Sequence, residues 1–284
     1  MTQLKTATVL VTGVAAMDFV FFVEEMPRRA EKYKTAHAAI QGGGGGGNAA
    51  SAIARLGGES RFVGRIGSDP VGMMIAGTLE ADGVDCRYLR RFPEARSSFA
   101  SIYVDKHGER QIMSYRDAAM PATTDWLAEP LACKYDAVLA DTRWPAGAAT
   151  LLQAAERQGL PGINDIEAPV KDATGAMLVA SHAAFSSQGL RDWSGHDDLE
   201  RGIDEFARLS GRFACVTNGA FGTYWRKGEK QGHVPSFAIT PVDTLGAGDV
   251  WHGAFALMLG EGRNETEAIR FPNAAAAIKS TRPG

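Results

Sequence analysis

The sequence predicts an α/β protein in which helices wrap a parallel β-sheet and a small β insertion interrupts the pattern. Short apolar, β-branched runs such as residues 6–13 alternate with helical stretches such as residues 48–56, which stop at glycine. Between them, two strand-like segments at 97–105 and 109–115 flank a short turn, which is typical of an antiparallel hairpin. At 284 residues, the chain is long enough to bury a large core.

The remaining elements continue this alternation in chain order. The spacing predicts further strands at 61–66, 135–140, 162–165, 182–185 and 213–217, and further helices at 72–82, 146–158, 248–259 and 265–279. The aromatic-rich segment 19–23 and the segment 33–40 fall outside this rhythm. We expect them to join the hairpin in a small separate sheet.

Composition excludes several classes of protein. The net charge of −3 and the mixing of both signs along the chain argue against binding to nucleic acid or to a membrane surface. No apolar run is long enough to span a bilayer or to form a signal-peptide core, so a cytoplasmic location is expected. Cys86, Cys133 and Cys215 stand far apart, which argues against a disulfide framework.

A first glycine cluster, residues 42–47, leads into the helix that starts near Asn48. Six glycines satisfy the dinucleotide pattern G-x-G-x-x-G trivially. A dinucleotide site is disfavoured because the first strand ends with only Gly13 and because no clear acidic residue follows about 20 positions on. A flexible loop is the simpler alternative.

The second cluster is Asp-Thr-Leu-Gly-Ala-Gly-Asp at 243–249, followed by a helix rich in small residues. Gly246, Ala247 and Gly248 allow a tight turn whose N–H groups, with the helix dipole, stabilise a phosphoryl group in transfer. The negative charge of Asp249 would repel phosphate, so this residue does not suit a loop that only binds phosphate. Its carboxylate can instead take a proton from an attacking hydroxyl, or merely cap the helix; the residues alone leave both roles open.

This signature resembles that of the ribokinase-like (pfkB) carbohydrate kinases, and the resemblance extends along almost the whole chain. Further matching segments are Gly13 with Asp18, Gly43–Asn48 followed by Gly57, Gly64–Asp69 with Gly72, Val216–Gly219 with Gly222, and Asn273–Ala276. The resemblance implies a three-layer, Rossmann-like core that binds ATP, formed by residues 1–13, 41–93 and 119–284. A β-sheet lid over the sugar is then formed by residues 14–40 and 94–118.

The resemblance also implies a role for each matching residue. Asp249 is the catalytic base, and the backbone of Gly246, Ala247 and Gly248 is the anion hole. The residues expected to bind sugar hydroxyls are Asp18, Gly43, Gly44 and Asn48, and those expected to line the ATP site are Thr217, Gly219, Gly222 and Asn273. Mg²⁺ would bridge the phosphates mostly through water. An unpaired lid edge could recruit a second copy into a homodimer.

Two departures from the family pattern concern the metal and the chain end. Ser186–Gly189 stands where the family commonly has Asn-x-x-Glu, so the metal ligands stay unknown, with Asp165 or Glu167 as candidate substitutes. Relatives typically continue for another helix beyond residues 281–284.

Within the family, several segments are similar to the sulfofructose kinases: Lys32-Tyr33, Ala140–Trp144, Ala184–Ser186 and 281–284. This likeness implies that Lys32 and Arg143 hold an anionic group of the sugar, with Ser114 in place of an expected Asn. A solvated Lys32, a structural Arg143 and a neutral ketose or aldose remain the alternative.

The sequence therefore predicts an ATP-dependent sugar kinase. A nucleoside kinase of the same fold and a catalytically silent sugar or nucleotide sensor are the competing hypotheses. The altered segment at 186–189 keeps the sensor open, whereas the intact loop at 246–249 argues against it.

Overall fold

The structure is a computed structural model that describes residues 6–171 and 174–282. Residues 283 and 284, which carry part of the C-terminal likeness, lie outside the described residues. The strands are β1 Thr8–Thr12, β2 Ala16–Phe22, β3 His37–Gly43, β4 Glu59–Gly67, β5 Leu89–Phe92, β6 Ser98–Val104, β7 Arg110–Tyr115, β8 Ala137–Asp141, β9 Gly162–Ile166, β10 His182–Ser186, β11 Phe213–Thr217, β12 Thr223–Lys227 and β13 Lys230–Val234. The helices are α1 Gly45–Arg55, α2 Pro70–Ala81, α3 Ala128–Ala132, α4 Pro145–Arg157, α5 Thr174–Val179, α6 Ser187–Ser194, α7 Leu199–Ser210, α8 Ala247–Gly260 and α9 Glu265–Ser280.

A nine-stranded sheet forms the centre of the molecule, in the order β13-β12-β11-β10-β9-β8-β1-β4-β5. The strands from β11 to β5 pair in parallel, and β12 and β13 add an antiparallel hairpin at one edge. Every residue of β1, β8 and β9 is buried. Their short apolar runs are therefore continuous rather than alternating, because helices cover both faces.

Helices on opposite faces of this sheet complete three layers. Val9 and Val11 of β1 pack with Ile53 of α1 and with residues of α2, α8 and α9. Leu10, between them, packs with Leu151 of α4 and with α5. Because successive side chains of a strand point to opposite faces, these two groups of helices lie on either side of the sheet. The predicted three-layer α/β core is confirmed.

A second sheet, here called the lid sheet, has the order β3-β2-β6-β7. The predicted hairpin is confirmed: β6 and β7 pair antiparallel, and Asp105 Oδ1 accepts hydrogen bonds from His107 N and Glu109 N in the turn. β2 pairs antiparallel with β3 and parallel with β6. β3 continues to Gly43, beyond the expected lid boundary at residue 40.

Helix α1 begins at Gly45 rather than at Asn48, so three glycines of the cluster are helical. Gly44, which precedes the helix, has a φ of +83° that favours glycine. A Cβ on Gly46 would lie 3.1 Å from the Gly13 Cα, and a Cβ on Gly47 would lie 3.2 Å from the Ala15 Cβ. The first turn of α1 therefore packs directly against the connection between β1 and β2, which side chains would hold apart.

Candidate active site

The carboxyl ends of β1, β8 and β9 meet the first turns of α1 and α8 beneath the lid sheet. A cavity of about 370 Å³, here called the acceptor cavity, opens at this point. Ligands of open parallel sheets bind at that edge. The predicted residues that line it are Asp18, Gly44, Asn48, Arg143, Gly246, Gly248 and Asp249. Gly43 lines an adjoining groove of about 690 Å³, whose wall also includes Asp18 and Asn48.

Asp249 lies on the first turn of α8 and receives a hydrogen bond from Asn48. The Asn48 Nδ2 donates to Asp249 Oδ2 across 2.7 Å, which fixes the orientation of the carboxylate. Burial raises the pKa of Asp249 to about 7, and the hydrogen bond from Asn48 opposes that rise. The negative charges of Glu167, Asp141 and Asp18 raise this pKa further. The carboxyl group is thus poised to exchange a proton near neutral pH.

The backbone before Asp249 turns through Gly246, which caps α8 with a left-handed φ of 72°. The N–H groups of the first helical turn have no partner within a helix. Here the Ala247 N–H bonds weakly to Thr244 O at 3.2 Å. The start of α8 therefore presents backbone N–H groups and the positive end of the helix dipole to the acceptor cavity.

Asp18 of β2 reaches the same cavity from the lid sheet. A Cβ on Gly43, which lies on the neighbouring strand β3, would collide with the Asp18 carboxylate. Glycine at position 43 therefore makes room for that carboxylate. Burial raises the pKa of Asp18 to about 6.

Three carboxylates converge on Gly45 from separate elements. A Cβ at this position would lie 3.6 Å from Asp141 Oδ2, 3.6 Å from Asp249 Oδ1 and 3.8 Å from Asp165 Oδ2. Burial raises the pKa of Asp165 well above its usual value, and the charge of Asp249 adds to this effect. Asp165 also lies 3.3 Å from His252 Nδ1, an imidazole whose pKa burial lowers to about 4. His252 is therefore neutral at pH 7 and packs behind Asp249.

Asp141, at the end of β8, was not predicted as a site residue. Its Oδ2 accepts hydrogen bonds from Val14 N at 2.8 Å and Gly46 N at 3.1 Å, and its Oδ1 accepts from Arg143 N at 2.7 Å. Burial raises the pKa of Asp141, and these donors act in the opposite direction. The carboxylate joins the connection between β1 and β2, the first turn of α1 and the loop after β8 at the floor of the acceptor cavity. The sequence signal that could have identified Asp141 is an acidic residue directly after the strand predicted at 135–140.

Arg143 lies in the wall of the acceptor cavity with a fixed orientation. Its Nη2 donates to Ala168 O at 2.6 Å and lies 3.8 Å from Glu167 Oε2. Only 14% of its side chain is exposed. The predicted placement of Arg143 beside the acceptor is therefore compatible with the geometry, although the main chain holds part of its guanidinium.

Arg116, which sequence reasoning missed, lines the same cavity. Burial lowers its pKa, and the nearby charge of Arg143 lowers it further. Among the described residues, Arg116 has no hydrogen-bond or ion-pair partner, although the charges of Asp141 and Glu167 act on it. The structure does not bring Lys32 to the acceptor cavity. Its side chain is exposed in the connection between β2 and β3, and it lines neither the acceptor cavity nor the adjoining groove.

Three of the four predicted nucleotide residues, Thr217, Gly219 and Gly222, lie together at the end of β11 and do not line the acceptor cavity. Ser187 Oγ donates to Thr217 O at 2.7 Å, which joins the start of α6 to this strand end. Gly219 and Gly222 have φ values of +51° and +91°. A Cβ on Gly222 would collide with the Val234 carbonyl oxygen, so the tight turn requires glycine there.

Asn273 is placed differently from the other three. Its Oδ1 accepts hydrogen bonds from Thr223 Oγ1 and Trp251 Nε1, and its Nδ2 donates to Val234 O and Pro235 O. All four hydrogen-bonding positions of the amide are therefore used within the protein. Asn273 ties α9 to α8 and the β12–β13 hairpin rather than offering a polar atom to a ligand.

The fold and the cavity define a class: an α/β protein with a cavity between a β-sheet lid and the carboxyl edge of a parallel sheet. Residues 6–284 match the model of the pfkB family carbohydrate kinases. The chain belongs to this family and is a carbohydrate kinase, a phosphotransferase with an alcohol group as acceptor. None of the described helices is long and apolar enough to cross a bilayer.

Relatives and solved structures agree with this assignment. The chain is 30% identical over 276 residues to the ribokinase of Bacillus subtilis strain 168, covering 95% of this chain and 92% of that protein. A crystal structure of a putative ribokinase from Agrobacterium tumefaciens superposes with a TM-score of 0.91 at 33% identity, covering 99% of this chain and 93% of the other. Arabidopsis thaliana ribokinase complexed with ribose and ATP shares the fold, with a TM-score of 0.88 at 24% identity over 99% and 94% of the two chains.

Proposed function

We propose that this kinase transfers the γ-phosphoryl group of ATP to a sugar hydroxyl with Asp249 as the general base. The observation that carries the proposal is the Asn48–Asp249 hydrogen bond at the start of α8, beside the turn at Gly246. The acceptor oxygen attacks the γ-phosphorus, its proton passes to the Asp249 carboxylate, and ADP leaves. The N–H groups from Gly246 to Gly248 stabilise the charge on the phosphoryl oxygens.

The sugar is held by groups on both sides of the acceptor cavity. Asp18 accepts hydrogen bonds from sugar hydroxyls, and the Asn48 amide both orients Asp249 and faces the acceptor. The glycines at 43 and 44 let the backbone approach the ring closely. The lid sheet excludes water, which would otherwise compete with the sugar hydroxyl for the phosphoryl group.

ATP is assigned to the strand end formed by Thr217, Gly219 and Gly222. The Arabidopsis ribokinase is complexed with ribose and ATP, which supports a nucleotide site as well as a sugar site in this fold. Asn273 supports that strand end indirectly, through its bonds to the β12–β13 hairpin.

Mg²⁺ would fit this site as the counter-ion of the phosphates. No group of three or more metal-ligating side chains forms a cage within residues 6–171 and 174–282. Mg²⁺ commonly takes one or two carboxylates together with phosphate oxygens and water. Glu167, which lines the acceptor cavity with 59% of its side chain exposed, would supply such a carboxylate. Asp165 is buried against His252 and is the less suited of the two candidate substitutes. The ion would neutralise phosphate charge.

Release of ADP from Mg·ATP across a panel of acceptors tests this function. We expect turnover with a sugar, and a loss of ~100-fold or more in Asp249→Asn because a positioned general base is removed. ATP binding, measured by calorimetry, should change little. Asp125→Asn, an exposed acid also on a first helical turn, is the matched control.

Two outcomes would contradict the proposal. Unchanged turnover in Asp249→Asn would remove that residue from the chemistry. A folded chain that binds ATP or sugar without releasing ADP would be a sensor, and turnover confined to nucleosides would make it a nucleoside kinase.

We further infer that the acceptor sugar carries an anionic group, as a sulfofructose does. Arg116 and Arg143 line one cavity and repel each other, and Arg116 has no hydrogen-bond or ion-pair partner among the described residues. An anion between them would relieve the repulsion and accept hydrogen bonds from both guanidinium groups. This places the anion-binding role on Arg116 and Arg143, and not on the exposed Lys32.

Arg116→Gln tests the charge of the acceptor. We expect the KM for sulfofructose or a sugar phosphate to rise about 10- to 100-fold, the range for one charge-assisted hydrogen bond. The KM for fructose should stay within about twofold, since a neutral sugar does not use that charge. Arg91→Gln, an exposed arginine on β5, is the control. Equal losses on charged and neutral sugars would make Arg116 structural.

A homodimer through the lid sheet is also proposed. The edge strand β7 exposes all six of its residues, among them Met113 with 74% of its surface exposed. An unpaired edge strand can pair with a second chain, and pairing of two β7 strands about a two-fold axis would join the two lid sheets.

A further inference from the structure

The loop before α8 carries a second acidic residue, Asp243, which joins three parts of the molecule. Its Oδ1 accepts hydrogen bonds from Arg110 Nη2 at 2.8 Å and from Leu245 N at 2.9 Å. Lys279 of α9 lies 3.3 Å from the other carboxylate oxygen and donates to the Asp243 carbonyl at 3.2 Å. One carboxylate thus connects the lid sheet, the helix α9 and the loop that leads to Gly246.

This ion-pair cluster is partly shielded from water. The exposed side-chain fractions are 27% for Arg110, 22% for Asp243 and 15% for Lys279. Fully exposed ion pairs contribute little to stability. Removing one partner of a more shielded pair with good geometry costs more free energy, because the other charge is left unpaired. The neighbouring Arg110–Thr244 contact, 3.4 Å from Nη2 to Oγ1, adds a second bond from the lid sheet to the same loop.

A separate apolar contact links the same two elements. The side chain of Leu245 packs against the buried cluster of the lid sheet formed by Val20, Ala100 and Ile102. Leu245 directly precedes Gly246, the residue that caps α8. The lid sheet therefore contacts the loop at two points, the Asp243 carboxylate and the Leu245 side chain.

We propose that the Arg110–Asp243 contact couples closure of the lid sheet to assembly of the anion hole, with Arg110 as a positioning residue. When the lid sheet covers the acceptor cavity, Arg110 holds Asp243, and Asp243 in turn fixes the Leu245 N–H and the turn at Gly246. When the lid sheet moves away, the loop loses both contacts. Phosphoryl transfer is then supported only while the cavity is closed to water. The inference rests on the proposed anion hole.

A double-mutant cycle with Arg110→Gln and Asp243→Asn tests the coupling in the full chain. Each single substitution should lower kcat about tenfold, while the KM for ATP stays within about twofold because the nucleotide site is untouched. The double variant should be no slower than the slower single one, since either change breaks the same contact. Arg110→Lys should restore part of kcat, because an ammonium keeps the charge.

Controls separate this role from others. Gln111→Ala, the next residue on β7, whose side chain lies on the opposite face of the lid sheet, should leave kcat and KM unchanged. In Arg110→Gln, hydrogen exchange at the amides of 243–249 should speed up, while the global melting temperature should stay close to that of the unchanged protein.

Three results would overturn the coupling: additive losses in the cycle, a rise confined to the acceptor KM in Arg110→Gln, or unchanged kcat in both single variants. The first would make the two residues independent, and the second would make Arg110 a substrate ligand. Failure of the proposed function is distinct, because it would appear as full turnover in Asp249→Asn whatever the cycle gives.

Discussion

As the proposed general base, Asp249 must meet two opposing demands. A base must be unprotonated to accept a proton, yet burial among other carboxylates favours its protonated form. Here burial raises the pKa to about 7, and the hydrogen bond from Asn48 Nδ2 keeps it from rising further. The pKa thus lies where a base can accept a proton and still release it near neutral pH.

The activity should therefore depend on pH in a particular way. Since only the ionised Asp249 accepts the proton, kcat/KM for the acceptor should fall below about pH 7, approaching tenfold per pH unit, rather than near pH 4 where an ordinary Asp titrates. Asn48→Leu removes the hydrogen bond that favours the ionised form and should move this limb to higher pH. Profiles of kcat/KM against pH for both proteins measure this shift. An acidic limb near pH 4 in the unchanged protein, or a limb at lower pH in the variant, would contradict the assignment of Asp249 as the base.

Residues within a contiguous motif could be predicted, whereas residues assembled by the fold could not. Gly246 to Asp249 occupy one short stretch, so their chemistry is visible in the sequence. Asp141, Arg116 and the Arg110–Asp243 pair become neighbours of the site only through sheet pairing, since 127 residues separate Asp141 from its partner Val14. Lys32 is the opposite case. The likeness of Lys32-Tyr33 to the sulfofructose kinases predicted a role at the site, whereas the side chain is exposed in the connection between β2 and β3.

At the scale of elements, the strands of the central sheet that have strong apolar runs were predicted, and those without such runs were missed. β11, with its buried sequence Phe-Ala-Cys-Val, follows the expected pattern. β12 and β13 were not predicted because their residues are mostly polar and only partly buried, so the edge hairpin lacks a clear apolar period. Helix α7 was also missed, although its Asp198 cap and its final Gly211 are ordinary helix signals.

The glycine cluster shows how tertiary packing overrides local propensity. Glycine disfavours helix by about 1 kcal/mol per residue, which predicts a later helix start. The structure starts α1 at Gly45, where the close approach to Gly13 and Ala15 leaves little room for side chains at 46 and 47. The same absence of a side chain at Gly45 leaves space where Asp141, Asp165 and Asp249 converge. One sequence feature thus serves both the packing of α1 and the shape of the site.

At the scale of the whole molecule, the lid sheet ends in two edge strands, β3 and β7, and the β7 edge has no partner strand among the described residues. β7 contains no proline, which would prevent pairing with another strand. Its charged residue, Arg110, bonds to Asp243 of the core, so its charge does not oppose pairing at this edge. An edge of this kind is a ready template for pairing. Two copies joined along β7 would also restrict the motion of the lid sheets, which the proposed coupling relates to the anion hole.

Sedimentation velocity over a range of concentrations tests the assembly. We expect the unchanged protein to sediment as a dimer and Met113→Lys as a monomer, because pairing about a two-fold axis would bring the two introduced charges close together. Met73→Lys, at another well-exposed methionine, which lies on α2, should leave the dimer intact. Two results would exclude β7 as the interface. The first is an unchanged protein that is still monomeric at about 100 µM, on the order of the concentrations at which weak assemblies form. The second is a Met113→Lys protein that stays dimeric. Because the lid sheet reaches the loop before α8 through Arg110 and Leu245, the monomeric variant should also show a lower kcat with little change in the KM for ATP.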